Sequence, residues 1–575
     1  MRILYIIFIL FYLSTTADGQ SFFTVTPNPK YEVRAVWLTT IGGIDWPHCY
    51  AQSERSAEKQ KDELRKILDQ LQKANINTVL LQTRIRATTI YPSLYEPWDG
   101  CLSGFPGKSP GYDALQYAIE ECHKRGMEIH AWVVTIPIGK WNTYGCKQLR
   151  KRHPNLIKRI DQEGFMNPEA PQTATYLANM CREIVQRYDI DGIHLDYIRY
   201  PETWKIKISR QQARENITRI VKQIYQAVKQ EKPWVKMSCA PIGKFDDLTR
   251  YWSHGWNAYT KVAQDAQAWL KDGLMDELFP MMYFRGDQFF PFAIDWQENS
   301  HGRIIAPGLG IYFLDPKEGK WNINDVTSEL YHLRNIGEGH AFFRNKFLLD
   351  NHQGIYDFVT NNFNRFPALV PPMTWHSDKL PQSPHTLTME VKNGITTLRW
   401  SNSKLYEDGT HISTPHIYYN VYASNKYPVD TQDARNLLLT RIKKMQLETR
   451  TRTSPQPTYY AVTCMDDYGN ESKALQLNQA ELPKYTARGY GKANKLTVTD
   501  GYVLLPHFSK ETDCKFIVVK NMQGQAVYIT KPMNDKINIK KMNDGVYTQL
   551  RDLQEHRTYF RYFLQEKAAK KLEKS

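Results

Sequence analysis

VRAVWLTTIGGIDWP, from Val33 to Pro47, decides the fold. Val33 to Thr39 reads as a buried strand, and the polar, periodic RSAEKQKDELRKILDQLQKAN (Arg55–Asn75) after it reads as a helix. The turn between them, IGGIDWP, lacks the GxGxxG spacing that an open doubly wound sheet usually carries after its first strand. From Glu32 to about Phe366 the alternation repeats. Strands are expected at Asn77–Arg84, Glu128–Thr135, from Ile190 to Asp196, and at Lys236–Gly243, Glu277–Phe284, Arg303–Phe313 and Gly339–Leu349. Helices follow each, the clearest at GYDALQYAIEECHKRG (Gly111–Gly126), TATYLANMCREIVQRYD (Thr173–Asp189) and RQQARENITRIVKQIYQAVKQ (Arg210–Gln230). Strict alternation implies parallel strands joined by crossovers, and eight such units predict an α/β chain with a closed (β/α)8 TIM barrel over residues 30–370.

Outside that region the texture changes. The chain has 575 residues, too many for one core, and several domains are expected. Met1-Arg2 followed by ILYIIFILFYL and STTADGQ reads as a secretory signal peptide over residues 1–19. An exported, periplasmic or cell-envelope location is therefore expected, with no transmembrane segment after cleavage. ALVPPMTWHSDKLPQSP (Ala368–Pro384) is a Pro-rich boundary, beyond which residues 380–477 alternate like strands. Residues 485–555 read as a small all-β domain (KLTVTDGYVLL, KFIVVKN, GQAVYIT), and residues 556–575 as a charged helical tail. Eight scattered cysteines form no CxxC pair, so no structural zinc is expected, and no metal or organic cofactor is called for. The net charge of +15 is spread along the chain; runs such as KRHPNLIKR (Lys151–Arg159) read as solvated faces. No nucleic-acid recognition motif appears, which leaves a mild attraction to anionic envelope polymers. Oligomeric state is not legible.

Barrels of this kind place their active sites at the C-terminal ends of the strands. Polar and aromatic residues collect there: Asp45 and Trp46 past the first strand, Arg84 and Arg86 on the second, His130 and Trp132 on the third, and Tyr283 and Asp287 after the sixth. The fourth strand opens DGIHLDYIRYP (Asp191–Pro201), where alternation puts Gly192, His194 and Asp196 on one face and the apolar Ile193 and Leu195 on the other. The polar face points into the barrel, so Asp196 sits at the mouth with His194 one layer below. Asp191, at an Asp-Gly turn, reads as structural. Tyr197, Arg199 and Tyr200 belong to the loop expected to line a cleft.

AVWLTTIGGIDWP, QTRIRATTIYPSLYEPWDGCLSG (Gln82–Gly104), GYDALQYAIEECHKRGMEIHAWV (Gly111–Val133) and DGIHLDYIRYP fall in order on the first four strands. Together they resemble the glycosyl hydrolase-like 10 domain, over roughly residues 30 to 345. The resemblance implies an exported barrel glycoside hydrolase acting on cell-wall glycan strands of the peptidoglycan type or related amino-sugar polymers. It places Asp196 and the rim residues of strands one to three around the sugar. Three departures stand out: Thr88 where an aspartate is usual, Val134-Thr135 in place of Asn-Pro, and Tyr197 instead of a second aspartate after Asp196. Glycoside cleavage needs two carboxylates, and Asp45 and Asp287 rank ahead of Glu96 as partners for Asp196. DGIHLD is also similar to the DGxDxDxE signature of family 18 chitinases, but His194 and Ile198 stand where that chemistry needs Asp and Glu. A carbohydrate-binding protein on a hydrolase barrel is the alternative. The segment 380–477 resembles a fibronectin type III domain through Trp400, YYNVYAS (Tyr418–Ser424) and YYAVTCMDDYGNES (Tyr459–Ser472).

Overall fold

Alternating strands and helices build the N-terminal part of the chain, seen in a computed structural model that describes residues 28–251, 255–450 and 458–477, and beyond them only short strands between 498 and 564. The signal-peptide segment lies outside the described residues. The main strands are β1 (Arg34–Leu38), β2 (Thr78–Arg84) and β3 (Glu128–Val134), each fully buried. Helices α1 (Glu54–Lys73) and α2 (Ala114–Lys124) cover their outer side. Helix α1 starts at a Ser53–Ser56 capping box and turns Ala57, Gln60, Leu64, Ile67, Leu68 and Leu71 inward, the three-and-four spacing of an amphipathic helix.

The segment after β3 is not a plain loop. It carries β4 (Pro137–Lys140), helix α3 (Tyr144–Arg152), β5 (Ile157–Ile160) and β6 (Glu163–Met166), whose three strands form a separate antiparallel sheet in the order β4-β6-β5. Helix α4 (Pro171–Arg187) then opens on a proline, as first-turn geometry favours. It leads into β7 (Gly192–Asp196), α5 (Arg210–Glu231), β8 (Lys236–Cys239) and β9 (Glu277–Leu278).

The next expected strand is split. β10 (Ile304–Ile305) pairs with β9, and β11 (Gly308–Leu309) pairs with β12 (His340–Phe342). The sheet runs β10-β9-β8-β7-β3-β2-β1-β12-β11, parallel throughout. Its two edges are consecutive pieces of one segment, interrupted by Pro307, which has no N–H to give a ladder. Hydrogen bonds from Ala306 N to Leu278 O (2.9 Å) and from Ala341 N to Pro307 O (2.9 Å) carry the pairing across the break. The result is a curled, TIM-barrel-like sheet, and the open doubly wound alternative falls away.

Several expected elements are shorter than their apolar runs. The strand expected to run to Leu349 ends at Phe342, and Asn345–Leu349 is a short helix. Short apolar runs fit strand and helix periods equally, and here Phe347 and Leu348 are buried by the helical form. The single helix expected after β8 is two, Tyr259–Val262 and Ala266–Lys271, separated at Ala263, which is left-handed (φ +57°).

Side chains inside the barrel alternate as strand geometry requires. Ala35, Trp37, Trp132, Val134 and Phe279 form the inner cluster, while Val36, Leu38, Ala131 and Val133 join the outer core beneath the helices. Two glycines are dictated by neighbours: a Cβ on Gly192 would lie 2.6 Å from the His130 ring, and one on Gly308 would lie 2.7 Å from the Trp37 ring.

Two antiparallel sheets follow. One is β13 (His385–Lys392), β14 (Ile395–Ser401) and β17 (Gln446–Arg450); the other is β16 (Leu437–Ile442), β15 (Tyr418–Ser424), β18 (Tyr459–Met465) and β19 (Leu475–Gln476). Leu398 and Trp400 of the first share a core with Tyr419, Val421, Tyr460 and Val462 of the second. This layered module packs on the N-terminal ends of the barrel strands. Arg441 is the fastener, with Nη1 2.6 Å from Glu128 Oε1 and Nη2 2.6 Å from Asp191 Oδ1. Met1–Pro483 is one compact unit and Lys484–Ser575 a second. In the second, Thr558–Tyr559 and Tyr562–Leu564 are strands pairing with Gly545–Asp552, where the sequence reading expects a helix. The Thr, Tyr and Phe residues there favour a pleated surface, and that preference outweighs the flanking charge. The seven described cysteines are free thiols.

Candidate active site

Asp196 closes β7, and its backbone then turns abruptly: Tyr197 adopts a left-handed conformation (φ +51°), uncommon and costly for a bulky residue. The turn lets the Tyr197 N–H donate to Asp196 Oδ1 (2.7 Å), while Trp132 Nε1–H donates to Oδ2 (3.1 Å). Thr135 secures the same residue from behind, its N–H and Oγ1–H both donating to the Asp196 carbonyl (2.9 and 2.8 Å). Asp196 is 7% exposed. Burial raises its pKa from 3.8 to about 6, against the opposing pull of Arg199 and the two hydrogen bonds. A carboxyl in that range can hold a proton and release it near neutral pH.

Arg199 lies over the Tyr197 ring (4.4 Å to its centroid) and pairs with Glu202 (Nη2 to Oε1, 2.7 Å). Burial works against ionisation of Glu202, but Arg199 outweighs it and holds the carboxyl below its ordinary value. Its side chain is 48% exposed, unlike Asp196. Its negative charge is also among the influences that raise Asp196. Two carboxyl groups on one loop are thus pushed in opposite directions, the pattern that separates an acid from its ionised partner. The sequence reading of this stretch stops at Pro201, one residue short of Glu202. Its one signal in the sequence is position, as the next carboxylate along the strand-end loop.

His194 lies in the layer beneath, fully buried. The Trp37 indole can only donate, so His194 Nε2 accepts from it (3.2 Å), leaving Nδ1–H to face Ser238 Oγ (3.0 Å). Burial pushes the imidazole well below its usual pKa, so it is neutral. His130 is equally buried against Gly192. Both histidines form the floor of the mouth and present no surface to a ligand, which corrects their expected role as sugar contacts.

The other expected residues divide. Tyr197 and Tyr283 are partly exposed at the mouth, where Tyr283 tilts against Phe343 (5.3 Å between ring centres) and meets Tyr312 edge-on (5.8 Å). Phe343 does not figure among the expected site residues. Arg86 is exposed and lies against Gly139, where a Cβ would be 3.3 Å from Arg86 Cβ. Arg84 is fully buried, forking onto Glu96 (2.8 and 2.6 Å) and donating to the Thr135 carbonyl (2.8 Å) and that of Val134. It positions the end of β3 and does not face solvent, and Glu96 is its counter-ion. Trp46 is buried, donating to the Gln60 carbonyl (2.9 Å), and Tyr200 is buried edge-on to Trp204 (5.4 Å); neither offers a face to a sugar.

Asp45 has no free oxygen for chemistry. Oδ2 accepts from Thr39 N (2.9 Å), and Oδ1 accepts from Lys346 N (3.1 Å) and from Arg344. It clamps the end of β1 to the segment after β12. Asp287 is exposed on a single 3-10 turn, Gly286–Gln288. Asp191 is bound to Arg441, His123 and the Ile129 N–H, as a structural residue would be. A cavity of about 370 Å³ lies at the opposite end of the barrel, around Arg303, Glu338 and Trp375, and contains none of the mouth residues. Among the described residues no group of three or more His, Cys, Asp and Glu side chains is arranged to hold a metal ion.

Residues 32–312 match the glycosyl hydrolase-like 10 family. The glycosyl hydrolase YngK of Bacillus subtilis (strain 168) is 30% identical over 496 residues, spanning 77% of this chain and 92% of that protein. The glycosyl hydrolase DigH of Escherichia coli (strain K12) is 27% identical over 350 residues, 53% of this chain and 80% of the relative. Among solved structures, the glycoside hydrolase domain of PgaB (BpsB) from Bordetella bronchiseptica superposes with a TM-score of 0.41 at 12% identity, over 57% of this chain and 98% of that one. By the match over residues 32–312 and the likeness to YngK, the chain belongs to the glycosyl hydrolase-like 10 family.

Proposed function

We propose that the chain is a secreted glycoside hydrolase of peptidoglycan-type or related amino-sugar glycans, using Asp196 as general acid and Glu202 as the ionised carboxylate. The observation that carries this reading is Asp196 itself: a buried carboxyl at the C-terminal mouth of a barrel, poised to titrate at about 6. Protonated Asp196 donates to the glycosidic oxygen as the bond to the leaving sugar breaks. Glu202, released from Arg199 by the incoming sugar, activates water or attacks the anomeric carbon. Tyr197 and Tyr283 supply aromatic walls and Arg86 a charged edge, while the expected Trp132 is buried and serves by holding Asp196. The β module after the barrel fits a fibronectin type III class spacer, and the leader favours export.

Incubating the wild type, Asp196→Asn and Glu202→Gln with denuded glycan strands, and reading new reducing ends by mass spectrometry, tests the assignment. Products are expected from the wild type only, with each variant reduced at least a hundredfold. A second reading, a glycan-binding protein without turnover, draws on the Arg199–Glu202 ion pair, which occupies the second carboxylate. Tight binding by all three proteins with no product from any would establish it and dismiss the hydrolase.

A further inference from the structure

Between β3 and α4, residues 137–166 form the small sheet and helix described above, at the catalytic face of the barrel. The insert leaves the barrel at Thr135, the residue that holds the Asp196 carbonyl. It rests on the mouth at three places. Gly139 packs against Arg86, a Cβ on Gly145 would lie 2.5 Å from the Ala87 carbonyl, and Phe165 meets Trp204 of the Asp196 loop (6.3 Å).

Its charge is lopsided. The insert holds seven lysines and arginines, four of them in KQLRKR (Lys147–Arg152) with Lys140, Lys158 and Arg159 besides, against two acids, Asp161 and Glu163. Among the described residues none of these cations forms an ion pair. Those that are occupied sit on aromatic rings or carbonyls instead. Arg150 and Arg159 lie over the Trp141 ring (3.9 and 5.3 Å), Lys158 lies over Trp204 (4.4 Å), and Arg150 also donates to the Trp141 carbonyl (3.0 Å). Stacking fixes the guanidinium planes while leaving their charge uncompensated. Lys140, Lys151 and Arg152 are exposed. Seven cations against two acids in thirty residues give this face a positive field, which attracts a partner bearing negative charge.

We propose that this insert is a cationic subsite that binds the carboxylates of an acidic polysaccharide strand as the strand passes into the mouth. The proposal rests on the reading of the mouth as a glycan cleft. A carboxylated polysaccharide is favoured because the cations are interleaved with aromatic rings, Arg150 and Arg159 on Trp141 and Lys158 on Trp204, so that charge and ring faces are offered together to carboxylates and sugars.

The test uses the full chain in the Asp196→Asn background, so that strands are bound and not consumed. A triple variant, Lys140→Gln, Lys151→Gln and Arg152→Gln, leaves the buried Gly145, Cys146 and Leu149 of α3 untouched. Probes are denuded glycan strands bearing their native carboxylates and the same strands with those groups converted to amides. Native strands are expected to bind the parent roughly tenfold tighter than amidated ones, about two- to threefold for each exposed ion pair. The advantage should shrink with salt as the screening length falls from about 10 Å at 0.1 M to about 3 Å at 1 M. The triple variant removes three of the seven cations and should lose most of that preference, its affinity for native strands falling toward the parent's affinity for the amidated form. Unchanged affinity for amidated strands also shows that the variant is folded. Equal affinity of the parent for both strands, or discrimination kept undiminished by the triple variant, would overturn the proposal. So would duplex DNA or anionic vesicles binding as tightly as native strands. Cleavage by the wild type is scored separately. Charge discrimination without cleavage removes the hydrolase reading alone, and cleavage without discrimination removes this one alone.

Discussion

Replacing Asp196 by asparagine tests both the site and the physics behind it. The folded protein holds the Asp196 proton with a pKa of about 6, whereas the ordinary value is 3.8. That difference in proton affinity corresponds to about 3 kcal/mol. The sign follows from linkage: the folded state binds this proton more tightly than the unfolded chain. Its contribution to stability is therefore whole below about pH 4 and is lost as the pH rises through about 6. Asparagine carries no charge at any pH and escapes that loss. It does lose one hydrogen bond, because its single carbonyl oxygen cannot accept from both Tyr197 N–H and Trp132 Nε1–H. That term costs about 1–3 kcal/mol and does not vary with pH. The stability of Asp196→Asn minus that of the wild type should therefore climb by about 3 kcal/mol between about pH 4 and about pH 7.5. Parallel urea-unfolding series followed by tryptophan fluorescence give the difference directly. Two profiles that stay parallel across this range would mean that Asp196 ionises like any exposed aspartate, and the general-acid assignment would go with it.

Other consequences are as specific. If Asp196 must be protonated, kcat/KM for glycan cleavage should fall above about pH 6, with an acidic limb set by Glu202 below the ordinary glutamate range; a profile still rising at pH 8 would contradict it. Gly192→Ala drives a Cβ to 2.6 Å from the His130 ring and should cost about 1–3 kcal/mol, readable as a lowered thermal midpoint. Arg441→Ala strips the shared cation from two buried carboxylates, Glu128 and Asp191, and should destabilise the barrel–β-module unit by about 3–5 kcal/mol in chemical denaturation. Glu96→Gln leaves Arg84 buried without its counter-ion, with a similar loss of about 3–5 kcal/mol, and should lower activity by loosening the end of β3.

The barrel is legible because its warrant is local. Buried parallel strands are continuous apolar runs, helices are periodic, and turns are polar, so the alternation survives in one dimension, as VRAVWLT and the helix from Arg55 show. Asp196 is legible for the same reason, since strand alternation alone puts it inward and at a strand end. The limits of that logic show at Leu349, where a short apolar run serves as a helix, and at residues 137–166, whose elements are too short to display a period.

Which polar groups meet which was not written along the chain. Asp45, Arg84, Trp46 and Tyr200 have the composition of a sugar cleft, yet each is consumed by a partner brought from elsewhere: Arg344, Glu96, the Gln60 carbonyl and Trp204. A strand end faces either the mouth or the helical layer, and only the curled sheet with its helices in place says which. Glu202 is the converse, a plain surface glutamate in sequence that the left-handed turn at Tyr197 and the reach of Arg199 bring into the field of Asp196. By itself the sequence determined the barrel, the strand order and the inward aspartate, since periodicity and burial are properties of neighbouring residues. Only the tertiary structure decided which charges are spent on holding the fold and which stand ready for chemistry, because desolvation and pairing depend on groups distant in sequence.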